Sequence, residues 1–376
     1  MSLPDLTFGP FDGRVWLDAA HQGPLPRNAV EAAKRALQRK VQPHLIGDED
    51  FHRTPSRLRE ALARLVNARA KDIVLGNSAS YGLHLIANGL AWRPGDEVLV
   101  PVDDFPASIL PWTILEPTGV SVRRVSTEHG VLTADALASQ LGERTRIVCI
   151  SWVNSFTGGL NDLASLGSLC RERGVLFVVN ATQGLGSLTL DVDALPVDAV
   201  TSCGFKWLCG PYGTGFCWLH PGVQAGLESH QAYWLTLAGE RWSDLNESAD
   251  VSAAELGAAR FDVFGTANFL NFEPWTASLE HFLAVGLDAI REHNAGLLDH
   301  LIAGIDTDEW RLISGRPPSE RSTMAVLELR LGSANEAASR LARARIDVAE
   351  RRGRIRISPH LYNSIDDIDR VLEALA

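Results

Sequence analysis

Residues 175–219 read VLFVVNATQGLGSLTLDVDALPVDAVTSCGFKWLCGPYGTGFCWL, and the alternation of apolar runs and glycine-rich turns in this stretch decides the fold. Residues 175–179 form an apolar run whose length and β-branched content fit a strand buried on both faces of a parallel sheet. The run ends in Asn180-Ala181-Thr182-Gln183, so polar groups appear where such a strand would surface. A second run, 198–202, ends in Cys203-Gly204-Phe205-Lys206-Trp207. A lysine just beyond a strand, between glycine-rich turns, suits a group held at the carboxyl edge of a sheet, the edge at which ligands bind in open α/β sheets.

Working outward, further strands are expected at 15–17, 72–75, 97–100, 146–153, 215–219, 323–329 and 354–357. Helices are expected at 28–39, 55–67, 83–89, 163–173, 335–344 and 365–375. Residues 269–305 carry one helical pattern, long enough to bridge two lobes. Ser333 and Glu336 have the spacing of a capping box. Strand, helix, strand with right-handed crossovers gives a mostly parallel sheet with helices on both faces.

The chain has 376 residues, 45% of them hydrophobic, which is ample for a large core and suits two lobes better than one. Its net charge is −11 with no basic block, which argues against nucleic acid and anionic membrane as partners. No apolar run reaches spanning length, and the opening MSLPDLTFGPF lacks a signal-peptide pattern. The five cysteines (Cys149, Cys170, Cys203, Cys209, Cys217) show no metal-ligand spacing, and no metal site is expected. An odd count in a large acidic chain reads as reduced thiols and a cytoplasmic location.

The central stretch resembles the class V aminotransferase family of pyridoxal 5'-phosphate (PLP) enzymes, which includes cysteine desulfurases, isopenicillin N epimerases, kynureninases and cystine C–S lyases. The motifs that carry the resemblance are Asn180-x-x-Gln183 and Cys203-Gly204-Phe205-Lys206-Trp207, followed by Gly210-Pro211-Tyr212-Gly213, and related segments extend it over nearly the whole chain. It implies an aspartate-aminotransferase-like, fold type I α/β architecture: a large PLP-binding domain with a mostly parallel seven-stranded-type sheet, plus a small C-terminal α/β domain. The boundaries expected are an N-terminal arm at 1–26, the large domain at 27–268, a connecting helix at 269–305 and the small domain at 306–376.

The family also implies roles. Lys206 would form the Schiff base with the cofactor aldehyde, which needs a nucleophilic amine in a shielded pocket. Gln183 would hydrogen-bond the cofactor's phenolic oxygen. Ser78, Ala79 and Ser80, in a small-residue turn that opens a helix, resemble the phosphate cup, because such a turn gathers free N–H groups at the positive end of a helix dipole. Phe105 stands at the aromatic position that stacks on the pyridine face. Asn154, in Asn154-Ser155-Phe156-Thr157-Gly158, would reach the phenolic oxygen or the substrate. Gly265 and Thr266 resemble the Gly-Thr pair that reaches the phosphate of a neighbouring subunit, which implies a homodimer with shared sites. Arg356, in Arg354-Ile355-Arg356-Ile357-Ser358, would bind the carboxylate of a small amino-acid substrate, since its fork matches a carboxylate bidentately. Arg354 would share a strand face with it, and alternation alone does not separate the two. His21, in Asp18-Ala19-Ala20-His21, could touch substrate or make only a local loop hydrogen bond.

The chain departs from the family pattern at several places. Cys203 and Phe205 stand where the family often has a phosphate-binding hydroxyl and a histidine, so phosphate binding leans on the Ser80 cup. Trp152 occupies a histidine position. Asn180 replaces the aspartate that keeps the pyridine nitrogen protonated. Three readings follow: chemistry that needs a weaker electron sink, an inactivated variant, or a binding or regulatory protein without turnover. No cysteine follows Cys217, which argues against desulfuration through a persulfide on a small-domain cysteine. C–S lyase, epimerase, decarboxylating and aminotransferase-like chemistry remain open. Residues 239–255 read as a loop near the site entrance.

Overall fold

The structure is a computed structural model that describes residues 7–228, 231–238, 256–315, 317 and 321–376. The expected loop at 239–255 lies outside the described residues. Thirteen strands are described: β1 (Val15–Trp16), β2 (Ile73–Gly76), β3 (Glu97–Pro101), β4 (Ser121–Val125), β5 (Thr145–Ser151), β6 (Leu176–Asn180), β7 (Ala199–Cys203), β8 (Gly215–Leu219), β9 (Trp310–Leu312), β10 (Ala325–Leu329), β11 (Ile346–Asp347), β12 (Ala349–Arg351) and β13 (Arg354–Ile357). The longer helices are α1 (Arg27–Val41), α2 (Asp50–Leu65), α3 (Ala79–Gly89), α4 (Pro106–Thr113), α5 (Leu163–Glu172), α6 (Phe269–Val285), α7 (Leu287–Gly304), α8 (Ala334–Arg343) and α9 (Ile365–Leu375).

Seven strands form the main sheet in the order β2-β8-β7-β6-β5-β3-β4, and only β8 runs against the rest. The sheet is therefore mostly parallel with crossover helices, the doubly covered class in which strands are continuous apolar runs. Its two faces carry separate cores. Leu75, Val148, Phe177, Val179 and Phe216 point to one side, and Val74, Val98, Ile147, Val178 and Cys217 to the other. A four-stranded sheet, β12-β13-β10-β9, is antiparallel and packs a third core against α7, α8 and α9. The opening strand β1 pairs in parallel with β11, so the start of the chain is tied to its last quarter.

Three local expectations need correction. The single helix across 269–305 is two helices, α6 and α7, divided at Gly286, whose φ of 94° breaks the helical backbone at a residue without a Cβ. Helix α2 starts at Asp50 and carries Pro55 inside it, so that proline is not the helix start it resembles. Ser333 makes no side-chain cap; its carbonyl takes the Glu336 N–H at 3.1 Å instead. The capping box forms at Ser364 and Asp367, where each side chain accepts the other's backbone N–H, at 3.2 and 3.0 Å.

Because β2, β3, β5, β6 and β7 are parallel, their carboxyl ends share one edge. That edge gathers the turn before α3, the Asp103–Phe105 turn after β3, Ser151, Asn180 and the Lys206 loop. Gly215 faces the α3 turn from β8, where a Cβ would stand 2.5 Å from the Ser78 carbonyl carbon, so only glycine admits this close approach. Among the described residues no helix is long and apolar enough to cross a membrane. All five cysteines are free and buried.

Candidate active site

Lys206 follows β7 in a loop held at both sides. The Phe205 carbonyl accepts from the Gly23 N–H at 2.9 Å, and a Cβ at Gly23 would stand 2.0 Å from the Lys206 carbonyl. The half-buried ammonium lies 5.4 Å from the Phe105 ring centroid and 5.9 Å from that of Phe205. Burial pushes the lysine below its ordinary range, since a charged amine loses hydration there. Cys203 and Asp18 oppose that shift, and the cations of Arg356 and Arg351 add to it.

Arg356, on β13, is 5% exposed. Its Nη2 donates to Asp18 Oδ1 at 3.0 Å and its Nη1 to the Ser155 carbonyl at 3.2 Å, while Nε has no partner among the described residues. Asp18 is pushed up by burial although Arg356 pulls the other way. Arg354 is taken by Glu328 at 2.9 Å, which separates the two arginines that strand alternation could not. Arg351, although exposed, also acts electrostatically on Lys206, Asp18 and Arg356. His21 is exposed and lies within electrostatic reach of Asp18.

Ser78 caps α3, accepting the Tyr81 N–H at 3.3 Å. The N–H groups of Ala79 and Ser80 lie in the first turn, where no intrahelical acceptor exists. Thr201 Oγ1 fixes this helix start by donating to the Ala79 carbonyl at 2.8 Å. Cys203 is buried and its thiol pushed up, and Ser202 donates to the Cys203 carbonyl at 3.2 Å.

Two expected cofactor contacts are occupied by other bonds. Gln183 donates to the Ala20 carbonyl at 3.0 Å and accepts from Trp207 Nε1 at 2.9 Å, so it ties the opening segment to the lysine loop. Asn154 Oδ1 accepts from Phe156 and Thr157 N–H at 2.9 and 3.1 Å, and Nδ2 donates to the Asp103 carbonyl at 3.3 Å; it shapes its own turn. Each keeps one amide hydrogen beyond these bonds. Gly265 has φ 76° and Thr266 is buried beside it, and no hydrogen bond joins either to the Lys206 cluster among the described residues. Asn180 is 4% exposed and its amide is bonded at both ends.

Sequence reasoning passed over Asp18, Asp104, Ser108 and Ser151. The only signal for Asp18 was its place directly after the strand expected at 15–17, in the same short segment as His21. A cleft of about 870 Å³ lined by residues such as His129, Trp152 and Asn161 includes neither Lys206 nor Arg356, so chemistry rather than volume locates the site.

His360 supports the lysine loop from below. It is fully buried, and its Nε2 donates to the Trp207 carbonyl at 2.8 Å, leaving Nδ1 without a partner among the described residues. A second ring proton would be buried unbonded, and burial pushes the histidine down to about 4. Its folded value is below its unfolded value, so the unfolded chain binds the proton first as pH falls. Stability is therefore expected to drop between pH about 6.5 and 4, by on the order of 3 kcal/mol from this group. Urea unfolding across that range should show a shallower loss in His360→Asn than in the unmodified protein.

The donor set fits a phosphorylated aldehyde cofactor: a depressed-pKa lysine beneath an aromatic face, free N–H groups at a helix start, and a buried Thr182 hydroxyl whose only described interaction is with the Cys203 thiol. Comparison with known proteins agrees. The chain belongs to the aminotransferase class-V family, whose model matches residues 15–371. That family is PLP-dependent, and PLP is the cofactor of this chain. A probable cysteine desulfurase of Methanothermobacter thermautotrophicus is 27% identical over 96% of this chain and 94% of its own. An isopenicillin N epimerase of Streptomyces clavuligerus is 29% identical over the same shares. The solved structure of the cystine C–S lyase C-DES with its product cysteine persulfide shares the fold, with a TM-score of 0.86, 22% identity, and 96% and 97% coverage of the two chains.

Proposed function

We propose that this PLP enzyme acts at the α-carbon of a small amino acid, with Lys206 as both the amine that condenses with the cofactor's aldehyde and the group that moves the α-proton. The observation that carries this reading is the company of Lys206: a half-buried amine held below its ordinary pKa, under the Phe105 ring, with the unpartnered Nε of buried Arg356 in the same electrostatic cluster. When bound, the cofactor supplies an electron sink for charge developing at the α-carbon.

The chain's residues do the rest. A deprotonated Lys206 is a nucleophile and a base near neutral pH. Arg356 holds the substrate carboxylate, and Phe105 covers the cofactor ring. Ser78, Ala79 and Ser80 offer donors to the phosphate at the start of α3. Gln183 and Asn154 would contribute their remaining amide hydrogens, His21 would lie at the substrate side, and Asn180 would face the ring nitrogen. Gly265 and Thr266 serve the site of a second copy in a homodimer. A large and a small domain are supported by the cores on the two faces of the main sheet and the third core of the four-stranded sheet, with the proposed arm (1–26) and connecting helical segment (269–305) packing into both. The free thiols and acidic balance suit the cytoplasm.

Several relatives are named cysteine desulfurases, but no cysteine follows Cys217, and Cys203 is a buried thiol pushed toward its neutral form. Lyase, epimerase, decarboxylating or aminotransferase-like turnover fits these residues better than transfer of sulfur to a mobile cysteine. A binding protein without turnover is the second reading, favoured by Asn180 alone.

The test is the visible spectrum of the purified protein, repeated with a panel of amino acids. A yellow protein whose band shifts with one class of amino acid, and which exchanges that substrate's α-proton, is expected. A protein that stays colourless after PLP is added would overturn the reading. Colour without proton exchange across the whole panel would favour the binding protein.

A further inference from the structure

Asn180 is the departure from the family pattern that bears most on the chemistry, and its bonds lead to a buried acid. The Thr182 N–H can only donate, and it meets Asn180 Oδ1 at 3.1 Å, so the amide nitrogen faces the other way. Nδ2 donates to Ser108 Oγ at 3.0 Å. Ser108 Oγ lies 3.3 Å from Ser151 Oγ, and Ser151 Oγ donates to Asp104. Asp104 also accepts the N–H groups of Ser151 at 2.7 Å and Phe105 at 2.6 Å. None of the four side chains is more than 4% exposed. They come from the turn after β3, from α4 and from the ends of β5 and β6. Among the described residues, the other ionisable groups that interact electrostatically with Asp104 are Asp103 and the Cys149 thiol, which burial keeps neutral, and neither is a cation.

The direction of the chain follows from its ends. Ser108 Oγ receives a hydrogen from Asn180, so it gives its own to Ser151, which gives its own to Asp104. Each hydroxyl proton then has an acceptor, and the chain ends on a carboxylate bonded by three donors. A protonated Asp104 that donated to Ser151 would turn the Ser151 proton onto Ser108, leaving the Ser108 proton with no acceptor in the chain. Burial, with the neighbouring Asp103, holds Asp104 above the usual carboxylate range, and the three donors oppose that shift and favour the anion.

We propose that Asp104 is a positioning residue that supplies, through Ser151 and Ser108, part of the negative charge that the family carboxylate would supply directly at position 180. Hydrogen bonds in series polarise one another, more so in a low-dielectric interior. Withdrawal of the Nδ2 hydrogen toward an anion enriches the Asn180 oxygen, whose second lone pair is then a stronger acceptor for a protonated cofactor ring nitrogen. The effect is weaker than that of a carboxylate in contact, since the charge stands two hydroxyls away. The proposal rests on the reading that Asn180 faces that nitrogen.

The experiment loads the full-length protein with PLP labelled with ¹⁵N at the ring and follows that nitrogen's shift against pH, alongside the side-chain amide signal of Asn180 in the apoprotein. Asp104→Asn is expected to move the apoprotein amide signal and to lower the ring nitrogen's titration midpoint by about one pH unit. In an Asn180→Asp background the same change should have less than half that effect, because the carboxylate then acts directly. Should Asp104→Asn fail to fold, Ser108→Ala interrupts the chain with Asp104 intact and must lower the midpoint likewise. A ring nitrogen unmoved by the interruption overturns the proposal, even if the apoprotein amide signal shifts. Failure of the underlying reading is separately visible: the unmodified protein would then take up no PLP, or its ring nitrogen would be unaffected by Asn180→Asp.

Discussion

Lys206→Ala is expected to remove the yellow band of the PLP-loaded protein and to slow α-proton exchange by at least about 10³-fold, combining the loss of a covalent anchor with that of a proton carrier. The fold should survive. Lys206 is half-buried, its ammonium makes no hydrogen bond among the described residues, and the loop is held through the backbone by Gly23 and His360. Deleting a buried charge that desolvation already disfavours costs little. A thermal melt of the apoprotein should therefore move by no more than a few degrees. The pH dependence is a second readout. Burial and the cations of Arg356 and Arg351 push the lysine down, so PLP uptake by the unmodified apoprotein should reach half its limiting rate below the pH at which an ordinary lysine deprotonates. A variant that stayed yellow and kept exchanging the α-proton would remove Lys206 from the mechanism.

Much of this site was legible because its residues follow continuous apolar runs. Strands β6, β7 and β13 are buried over most of their length and were placed within a residue or two, so the lysine loop, Asn180 and Arg356 fell at strand ends or on a sheet face. Partners far apart in sequence were not legible. Alternation put Arg354 and Arg356 on one face, and only Glu328, on a neighbouring strand, separates them. Gln183 and Asn154 were assigned by motif, but which acceptors their amides meet depends on Ala20, Trp207 and Asp103 arriving from elsewhere. Directly bonded pairs in the Asp104–Ser151–Ser108–Asn180 chain stand up to 72 positions apart, and no local pattern marks a serine as a link. The divided helix shows the converse: Gly286 was visible, but helical periodicity on both sides hid the left-handed backbone it adopts.

Arg356→Ala should remove the arginine's binding role and its structural one together. Two charge-assisted hydrogen bonds to a substrate carboxylate, each contributing about 1.5–3 kcal/mol, correspond to a loss of on the order of 10²–10⁴-fold in kcat/KM. The same change strands Asp18, which is 6% exposed and takes its ion-pair hydrogen bond from Arg356, and an uncompensated buried charge costs about 3–5 kcal/mol. A loss of activity in the single variant is therefore ambiguous, because a destabilised protein also loses activity. Pairing Arg356→Met with Asp18→Asn removes both charges and keeps most of the volume, so urea unfolding should show most of the stability restored. Activity should not return, since neither residue can then hold a carboxylate. Arg356→Lys gives a finer test: a point charge in place of the fork keeps the pair with Asp18 but loses the Nε edge, the part of the guanidinium without a described partner. It should raise KM more than it lowers stability. Return of activity in the stabilised double variant would show that Arg356 and Asp18 serve the fold alone and that another cation, with Arg351 the nearest candidate by its electrostatic reach, receives the substrate.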